Sequence, residues 1–391
     1  MKQDAEIRVL FSCTGVGVVN RGIESFFREA FDGLKNTPGV RATLLKGAGP
    51  DTPSERRLWN LPRAGRAAQA LGRALNRDSY VIEQLSSFAP MIREIRRQRP
   101  DVIFYSDNSL GFQLFRWRRL IGVPYTLLFS NGGPCFPPFS RTDHVHQVAP
   151  HYLEMALAAG EPSGKHTMVP YGIHVPEGNP DRTSAAISGG RARLNLPVDR
   201  KIVISVGWIS SGHKRMDYLI REIAALPEPR PFLLMLGLID EKSQDIIRLA
   251  AEALGPQGFS ARSVPYDQVF DHYRAADVFA LCSLQEGFGR VYLEALMHGL
   301  PCAAHDHAVM RYVLGSEGSF RDLSKPGALA EILPGLLAEA SDPDLAARRR
   351  ESVRRRFSWP SLAPAYRQMF FNCVKRSPVY GLAALSPERN S

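Results

Sequence analysis

Short apolar runs that alternate with longer helical stretches restrict the fold of this chain more than any other feature. The first run, residues 7–12, leads into a glycine-bearing turn and then a helical pattern over about 23–34. Strands separated by helices form parallel sheets with helices packed on their faces. The sequence therefore predicts an α/β protein. Runs of the same kind recur at 101–106, 124–130, 166–172, 201–206, 232–236, 277–281 and 300–304.

The chain has 391 residues, two to three times the length of a domain of about 150 residues. Residues 176–200 are polar and carry Pro, Gly, Ser and Asn, which predicts a linker. Residues 377–391 predict a loose tail. We therefore expect two doubly wound, Rossmann-like domains that face each other across a cleft, one at 1–175 and one at 201–358.

The charge of the chain favours anionic partners. It has 49 Lys and Arg against 39 Asp and Glu, a formal net charge of +10. Nucleotide phosphates and an acidic membrane fit that charge. A nucleic-acid site would need interleaved aromatic residues or a known module, and the sequence has neither. Five dispersed cysteines predict free thiols. Because no apolar run reaches about 18 residues and no apolar signal stands at the start, we expect a cytoplasmic protein.

Two segments in the second half run from a predicted strand through a loop into a helix, and open parallel sheets bind ligands at such loops. In the first, 206–220, Lys214 could neutralise a diphosphate or be an ordinary surface lysine. The second begins with Glu286-Gly-Phe-Gly, a turn whose amides would point at an anion. Glu294 lies eight residues further, about 12 Å along a helix. The two acids suit the ends of an extended nucleotide sugar, or they are helix-start acids favoured by the dipole.

At these residues the chain resembles the retaining family-4 glycosyltransferases, which have the GT-B fold. The likeness includes the spacing of Glu286 and Glu294, the Gly-Leu-Pro after that helix, and the His-Lys-Arg-Met-Asp-Tyr loop around Lys214. It covers nearly the whole chain and implies that a helix at 359–376 returns to the first domain, which lies on the acceptor side. Further matching segments are 169–173, 273–277 and 357–359.

The resemblance also implies a role for each matching residue. Lys214 would bind the donor diphosphate, Glu294 the ribose diol, and Glu286 the transferred sugar near its anomeric carbon. The backbone at 287–289 would meet sugar and phosphate oxygens, and Gly17 would face the phosphates and the acceptor from the first domain. The implied donor-binding residues are Lys214, Arg215, Glu286, Gly287, Phe288, Gly289, Glu294 and Gly17.

Two positions depart from the family pattern. Trp208 stands where members often have an arginine, so Arg215 or His213 would supply that cation. Asn131 stands where members often have a histidine near the reacting carbon, and an amide cannot act as a general base. His144, which we expect in a loop of the first domain, is an alternative. The catalytic candidates are Glu286, Asn131 and His144.

The implied reaction moves a sugar from a nucleoside diphosphate to an unidentified acceptor with retention at the anomeric centre. The acceptor would be a saccharide, a lipid-linked saccharide or a small molecule. The nucleotide sugar is a substrate, and we expect no cofactor. We also expect no metal, because Lys214 and a helix N-terminus can stabilise the leaving diphosphate. Trp208 and Asn131 leave open a second hypothesis, a nucleotide-sugar sensor or a catalytically weak subunit.

Three other patterns have weaker interpretations. A dinucleotide fingerprint that begins at Gly15 and Gly17 would need a third glycine where the chain has Asn20. The pairs at 144–146 and 305–307 each have two histidines and no evident third metal ligand. A basic stripe would form on an ideal helix, and it predicts either a solvated face or a peripheral contact with an anionic inner membrane face or an acidic acceptor. Its members are Arg63, Arg66, Arg73 and Arg77.

Overall fold

The structure, a computed structural model, describes residues 6–19, 21–133, 135–178 and 181–376. The chain divides into two compact units. The first takes in the chain up to His174 and again from Trp359, and the second is Val175–Ser358. Each unit is built on its own parallel sheet, so the predicted pair of Rossmann-like α/β domains is confirmed.

The sheet of the first unit is parallel throughout, with the strand order β3-β2-β1-β4-β5-β6-β7. Its strands are β1 (Ile7–Cys13), β2 (Val40–Lys46), β3 (Glu55–Arg57), β4 (Val102–Tyr105), β5 (Thr126–Asn131), β6 (His144–Gln147) and β7 (His166–Met168). The order of the chain reverses between β1 and β4, so the ligand crevice of such a sheet is expected at their carboxyl ends. The helices before the second unit are α1 (Gly22–Leu34), α2 (Arg66–Ala74), α3 (Ser79–Ser86), α4 (Phe88–Gln98), α5 (Asn108–Ile121) and α6 (Pro150–Ala158).

The two faces of this sheet have different cores because side chains alternate along each strand. Leu10 of β1 joins an apolar cluster with residues of α4 and α5. The next residue, Phe11, packs edge-on against Phe104 of β4 with ring centroids 5.5 Å apart, and also against Phe31 of α1. β4 and β5 are buried along their whole length, and β1 is buried from Val9 onwards, because helices cover both faces of the sheet.

The second unit repeats this architecture with the strand order β10-β9-β8-β11-β12-β13, again parallel throughout. Its strands are β8 (Ile202–Val206), β9 (Phe232–Leu236), β10 (Phe259–Arg262), β11 (Val278–Ala280), β12 (Cys302–His305) and β13 (Gly318–Arg321). Its helices are α7 (Ser184–Arg193), α8 (Met216–Ala224), α9 (Ser243–Leu254), α10 (Tyr266–Ala275), α11 (Arg290–Met297), α12 (Ala308–Leu314), α13 (Ala328–Glu339) and α14 (Pro343–Phe357). The order reverses between β8 and β11, which places the expected crevice at their carboxyl ends.

The segment predicted as a linker holds the helix α7 and is counted in the second unit. Arg191 of this helix is buried, and its guanidinium donates to Oδ2 of Asp277 at 2.5 Å and to the carbonyl of Ala275 at 2.9 Å. A charge-assisted bond of this kind, formed out of water, holds the helix against the start of β11. The polar segment that was predicted to be a linker is therefore in part a helix, which Arg191 holds against the second unit.

The last described helix, α15 (Trp359–Arg376), belongs to the first unit. Phe370 packs against Phe11 and Phe104, with centroid distances of 6.0 and 5.9 Å, and Tyr366 is fully buried. The first unit therefore draws its core from two separate parts of the chain. The predicted tail at 377–391 lies outside the described residues.

Two expectations from composition can be compared with the structure. All five cysteines are free thiols, and four of them are buried, which confirms the prediction. Among the described residues, no helix combines the length and the apolar character needed to cross a membrane.

Candidate functional site

The carboxyl ends of β8 and β11 bring together the two segments of the second unit that the sequence singles out. Lys214 follows β8 and Glu286 follows β11, and the two strands are neighbours in the sheet. Nζ of Lys214 donates to Oε1 of Glu286 at 2.6 Å, and Nε2 of His213 lies 3.4 Å from the same oxygen. Residues 72 positions apart thus form one polar cluster at the sheet edge where ligands are expected.

The carboxyl group of Glu286 is held in its charged form. The residue is only 8% exposed, and burial acts to raise its pKa. Hydrogen bonding to His213 and the charge of Lys214 outweigh burial and lower the pKa of Glu286 to about 2. The carboxylate is therefore an acceptor at neutral pH, able to receive hydrogen bonds from N–H and O–H donors.

The turn after Glu286 ends in the N-terminus of α11. Gly289 is the residue before this helix and has a φ of +77°. A side chain there would be strained, and its Cβ would also lie 2.9 Å from Cε of Met310. The first amides of a helix have no intrahelical acceptor and carry a partial positive charge. They can therefore bind an anion beside Lys214.

Glu294 lies in α11 and is held by two tyrosines of α10. Oε1 accepts from the hydroxyl of Tyr266 at 3.0 Å, and Oε2 accepts from that of Tyr273 at 3.1 Å. The oxygens of this carboxylate are acceptors, which suit hydroxyl donors. Neither tyrosine could be given this role from the sequence, because their link to Glu294 depends on how α10 packs against α11.

Two other residues of the predicted site, and Trp208, which departs from the family pattern, have different surroundings. Arg215 donates to the carbonyls of Cys282 at 3.3 Å and Leu323 at 2.6 Å, so its guanidinium binds loop backbone. The ring of Phe288 is buried and packs edge-on against Phe357, which leaves its amide as the group that can meet a ligand. Trp208 is exposed, with Nζ of Lys242 5.7 Å from the centre of its ring.

The glycine turn of the first unit follows β1. A Cβ on Gly17, whose φ is +80°, would lie 2.7 Å from the carbonyl oxygen of Ala48. A Cβ on Gly15 would lie 2.4 Å from Oε1 of Glu24. Packing within the first unit therefore explains why glycine occupies both positions, without any contact to a phosphate. Asn20 lies outside the described residues.

Asn131 ends β5 and is buried at the carboxyl edge of the first sheet. Its Nδ2 donates to Oε1 of Gln147 at 2.9 Å and to the carbonyl of Cys135 at 3.2 Å. Its Oδ1 accepts from the amide of Cys135 at 2.8 Å. The side chain fixes the loop between Asn131 and Cys135, so it positions that backbone.

The expectation that His144 lies in a loop is wrong. It begins β6, is buried, and pairs in register with Leu128, whereas Asn131 pairs with Gln147. Three residues of strand put His144 about 10 Å from the carboxyl edge. Its Nε2 lies 2.8 Å from Oγ1 of Thr167, and this placement gives no support to a catalytic role.

A buried polar network at the carboxyl ends of β1 and β4 has no signal in the sequence analysis. Glu83 of α3 binds Arg63 at 2.5 Å and accepts from the hydroxyl of Thr14 at 2.9 Å. Asp107, after β4, accepts from the hydroxyl of Tyr80. Burial raises the pKa of Asp107 to about 6, although the bond from Tyr80 acts in the opposite direction. The network was missed because its members come from separate elements without a local motif.

The predicted basic stripe is wrong in one member, because Arg63 does not lie on the helix. Helix α2 begins at Arg66, and Arg63 lies before it, bound to Glu83. The exposed cations on and just after this helix are Arg66, Arg73 and Arg77.

The histidine pairs have structural partners. Nε2 of His146 lies 2.7 Å from the carbonyl of Val169, and burial lowers the pKa of His146 to about 4. Nδ1 of His305 accepts from the amide of Leu323, and Nδ1 of His307 accepts from that of Val309 at the start of α12. No group of three or more metal-ligating side chains occurs among the residues that the structure describes.

Comparison with known proteins relates the second unit to a sequence family. Residues 190–355 match the family described as Glycosyl transferases group 1. The D-inositol 3-phosphate glycosyltransferase of Xylanimonas cellulosilytica is 33% identical over 196 residues, which are 48% of this chain and 46% of that protein. The lipopolysaccharide core biosynthesis glycosyltransferase LpsE of Rhizobium meliloti is 27% identical over 190 residues, 48% of this chain and 54% of that protein. The chain spans about half the length of the curated relatives it matches.

Solved structures resemble nearly the whole chain. Sucrose-phosphate synthase (tll1590) from Thermosynechococcus elongatus aligns with a TM-score of 0.74 and 18% identity, over 95% of this chain and 100% of that one. Anabaena Alr3699/HepE, solved in complex with UDP and glucose, aligns with a TM-score of 0.71 and 16% identity, over 94% of this chain and 100% of that one. The chain therefore has the GT-B fold of these structures, and its second unit carries the region that matches Glycosyl transferases group 1.

Proposed function

We propose that this chain is a glycosyltransferase that moves a sugar from a nucleoside diphosphate sugar to an acceptor with retention at the anomeric centre. The observation that carries the proposal is the contact between Lys214 and Glu286 beside the N-terminus of α11. It lies in the region that matches the glycosyltransferase family. Retention rests on the resemblance to family-4 enzymes.

The donor would lie along the carboxyl edge of the second sheet. Lys214 and the amides at the start of α11 would bind the diphosphate, Glu286 the sugar hydroxyls, and Glu294 the ribose diol. Uridine is our first choice of base, because the similar HepE was solved with UDP and with UDP-glucose. The apolar surface of Trp208, exposed after β8, would be available to the base.

The chemistry that this site must assist is the departure of the diphosphate. The bond between the anomeric carbon and the phosphate oxygen breaks, and both electrons remain with the diphosphate. The acceptor oxygen forms the new bond to that carbon, and its proton passes to the phosphate oxygen that departs. An ammonium and oriented amides stabilise the charge that grows on the leaving group. Because Lys214 and the amides at the start of α11 can supply such stabilisation, we propose a reaction without a metal or other cofactor.

We assign the acceptor to the first unit, at the carboxyl ends of β1 and β4. The buried network there includes Arg63, Glu83 and Asp107, and Arg21 binds Glu24 at its border with a side chain that is 58% exposed. Such a mixture of cations and acids recognises a polyhydroxylated molecule, since hydroxyls both donate and accept. Relatives named for inositol 3-phosphate and for the lipopolysaccharide core agree with an acceptor of this class.

The test begins with a thermal-shift screen of uridine, guanosine and adenosine diphosphates and their sugars. Incubation with the selected donor should then release nucleoside diphosphate slowly through hydrolysis. Glu286→Ala and Glu294→Ala should each abolish this release and leave the fold intact, and Glu252→Ala, on the exposed face of α9, is the matched control. Full activity of both site variants would refute the site. Tight donor binding without turnover in the unaltered protein would favour the sensor hypothesis.

We also propose a peripheral contact between the first unit and an anionic membrane surface in the cytoplasm. Leu71 and Leu75 of the α2 region are 43% and 60% exposed, on the side of the helix away from the exposed cations Arg66 and Arg73. A helix with an exposed basic side and an exposed apolar side suits the lipid headgroup region. The five free cysteines agree with a reducing compartment.

Vesicle flotation tests this contact. The protein should float with anionic vesicles at low salt and dissociate at high salt, because exposed charges are screened. A variant with alanine at positions 66, 73 and 77 should not float, whereas a control with alanine at positions 354 and 355, where arginines pair with Glu351, should. Absence of flotation at low salt would eliminate the contact.

A further inference from the structure

A cavity of about 570 Å³ lies in the second unit, and none of the residues proposed to bind the donor is among the described residues that line it. Its walls come from α7, α10, α14 and, before α7, residues 176–178 and 181. His298, which follows the last residue of α11, also lines it. The Glu286 turn precedes this eight-residue helix, so Glu286 and His298 lie at opposite ends of an element about 12 Å long, whereas Glu294 lies about one turn before His298. The volume is within the range of small-molecule sites.

His298 is the most informative residue of this cavity. It is 2% exposed, and neither of its ring nitrogens has a hydrogen-bond partner among the described residues. The ring packs against Tyr273 and Phe270, with both centroid distances 5.8 Å. Buried polar groups are nearly always paired, because an unpaired one has lost its hydrogen bonds to water without replacement. The arrangement therefore indicates that something in the cavity completes the hydrogen bonding of the ring.

The inner wall of the cavity carries positive charge. Arg350 is buried there and donates to the carbonyls of Met297 and Pro176 without a carboxylate partner in the described chain. Arg193 and Arg274 also line the cavity. Burial lowers the pKa of His298 to about 3, and the charges of Arg274 and Arg350 act in the same direction. The imidazole is thus neutral at pH 7, so one nitrogen can donate to an anion.

The mouth of the cavity has acidic residues. Glu177 and Asp181 are exposed on the segment before α7, and Asp271 pairs with Arg274 at 2.8 Å. Carboxylates at this position accept hydrogen bonds from hydroxyls. The lining therefore favours a molecule that is anionic at one end and hydroxylated at the other.

We propose that this cavity is a second ligand site, which takes a phosphorylated polyol of the size of a pentose or hexose phosphate. The phosphate lies against His298, Arg193 and Arg350, and the hydroxyls lie towards Glu177 and Asp181. A phosphate oxygen accepts from the imidazole, which supplies the partner that the ring lacks in the described chain. The site does not depend on the donor role of Lys214 and Glu286.

The experiment follows His298 directly by NMR. In protein labelled with ¹³C-histidine, the Cε1–Hε1 signal that is absent from the spectrum of His298→Gln belongs to His298. Ribose 5-phosphate at up to millimolar concentration should shift this signal with saturation. Ribose and inorganic phosphate, added separately, should each bind at least tenfold more weakly. Calorimetry should give the same order of affinities.

Two variants separate this site from the donor site. Lys214→Ala should leave the binding of ribose 5-phosphate unchanged. Arg193→Ala, an exposed change that keeps His298, should weaken it at least tenfold, equivalent to about 1.4 kcal/mol. Arg248→Ala, at an exposed arginine of α9, is the matched control for loss of positive charge. A readout of melting temperature checks that each variant is folded.

Three results would overturn the proposal. One is the absence of any shift of the His298 signal. Another is binding that disappears in Lys214→Ala and persists in Arg193→Ala, which would assign the ligand to the donor site. The third is equal affinity for inorganic phosphate and ribose 5-phosphate, which would show that the site does not recognise the polyol.

Discussion

The contact between Lys214 and Glu286 leads to an unusual prediction for Glu286→Gln. The ammonium that we assign to the donor diphosphate lies 2.6 Å from Oε1 of Glu286. A diphosphate that reaches Lys214 must also approach this carboxylate. Glutamine keeps the shape of the side chain and removes its charge. We therefore expect Glu286→Gln to bind the free nucleoside diphosphate more tightly, while sugar transfer is lost.

The size of the effect follows from the charges. Two oxygens that share one ammonium lie about 4 Å apart, and a like-charge pair at that distance costs about 1 kcal/mol in water and about 4 kcal/mol near a protein surface. An effect of about 1.4 kcal/mol, at the lower end of this range, corresponds to a tenfold change in Kd. We expect the Kd of the nucleoside diphosphate to fall at least tenfold.

The same substitution should lower stability. The pKa of Glu286 is about 2 in the folded chain and 4.5 ordinarily, which corresponds to about 3 kcal/mol. Because the folded pKa is depressed, this stabilisation is present above pH 4.5 and is lost as pH falls towards 2. At neutral pH, Glu286→Gln should therefore melt at a lower temperature than the unaltered protein.

Calorimetric titration with the nucleoside diphosphate selected by the thermal-shift screen measures the affinity. Lys214→Ala should weaken binding at least tenfold, and Glu252→Gln on α9 is the control for removal of an exposed carboxylate. An unchanged or raised Kd in Glu286→Gln would refute the argument that the two side chains and the diphosphate share one site.

Three further predictions concern the packing around the two sheets. Because the pKa of Asp107 is raised, its ionisation between pH 4 and pH 7 destabilises the folded protein, and Asp107→Asn cannot ionise. The stability of Asp107→Asn relative to the unaltered protein should therefore rise by up to about 3 kcal/mol over this pH range. Denaturant midpoints of the two proteins that differ by the same amount at every pH would contradict this. Tyr273→Phe removes one hydrogen bond to Glu294 and keeps the aromatic ring, so the Kd of the donor measured by calorimetry should rise about threefold to tenfold. An unchanged Kd would indicate that Glu294 does not bind the donor. Phe370→Ala in α15 should lower the free energy of unfolding by about 3–5 kcal/mol. Hydrogen exchange should show reduced amide protection in the first sheet, and an equal reduction in both sheets would contradict the prediction.

Much of the second unit could be predicted from the sequence because its functional groups follow a general rule of parallel sheets. The strands at 201–206 and 277–281 are recognisable as apolar runs, and ligand groups follow the carboxyl ends of such strands. This placed Lys214 and Glu286 at one edge, and the structure joins them in one ion pair. The roles of these residues in donor binding stay predictions.

The elements that escaped prediction are those whose polar side chains are satisfied by distant partners. The strand His144–Gln147 has three polar residues of four, a composition typical of a loop. It is buried because Thr167, Val169 and other residues supply its hydrogen bonds. The helix Ser184–Arg193 has glycines and serines that suggest a linker, and its anchor, Asp277, is 86 positions from Arg191. The local composition of a segment does not reveal which distant residues will bind its polar side chains.

The return of α15 to the first unit determines an order of events during synthesis. The N-terminal sheet leaves the ribosome long before residues 359–376 exist, and its aromatic face then lacks Phe370 and Trp359. The segment Val175–Ser358 emerges whole and has its own core. The half of the protein that is translated first should therefore be the last to become resistant to proteases, and chaperones should bind the exposed phenylalanines around Phe11 during that interval.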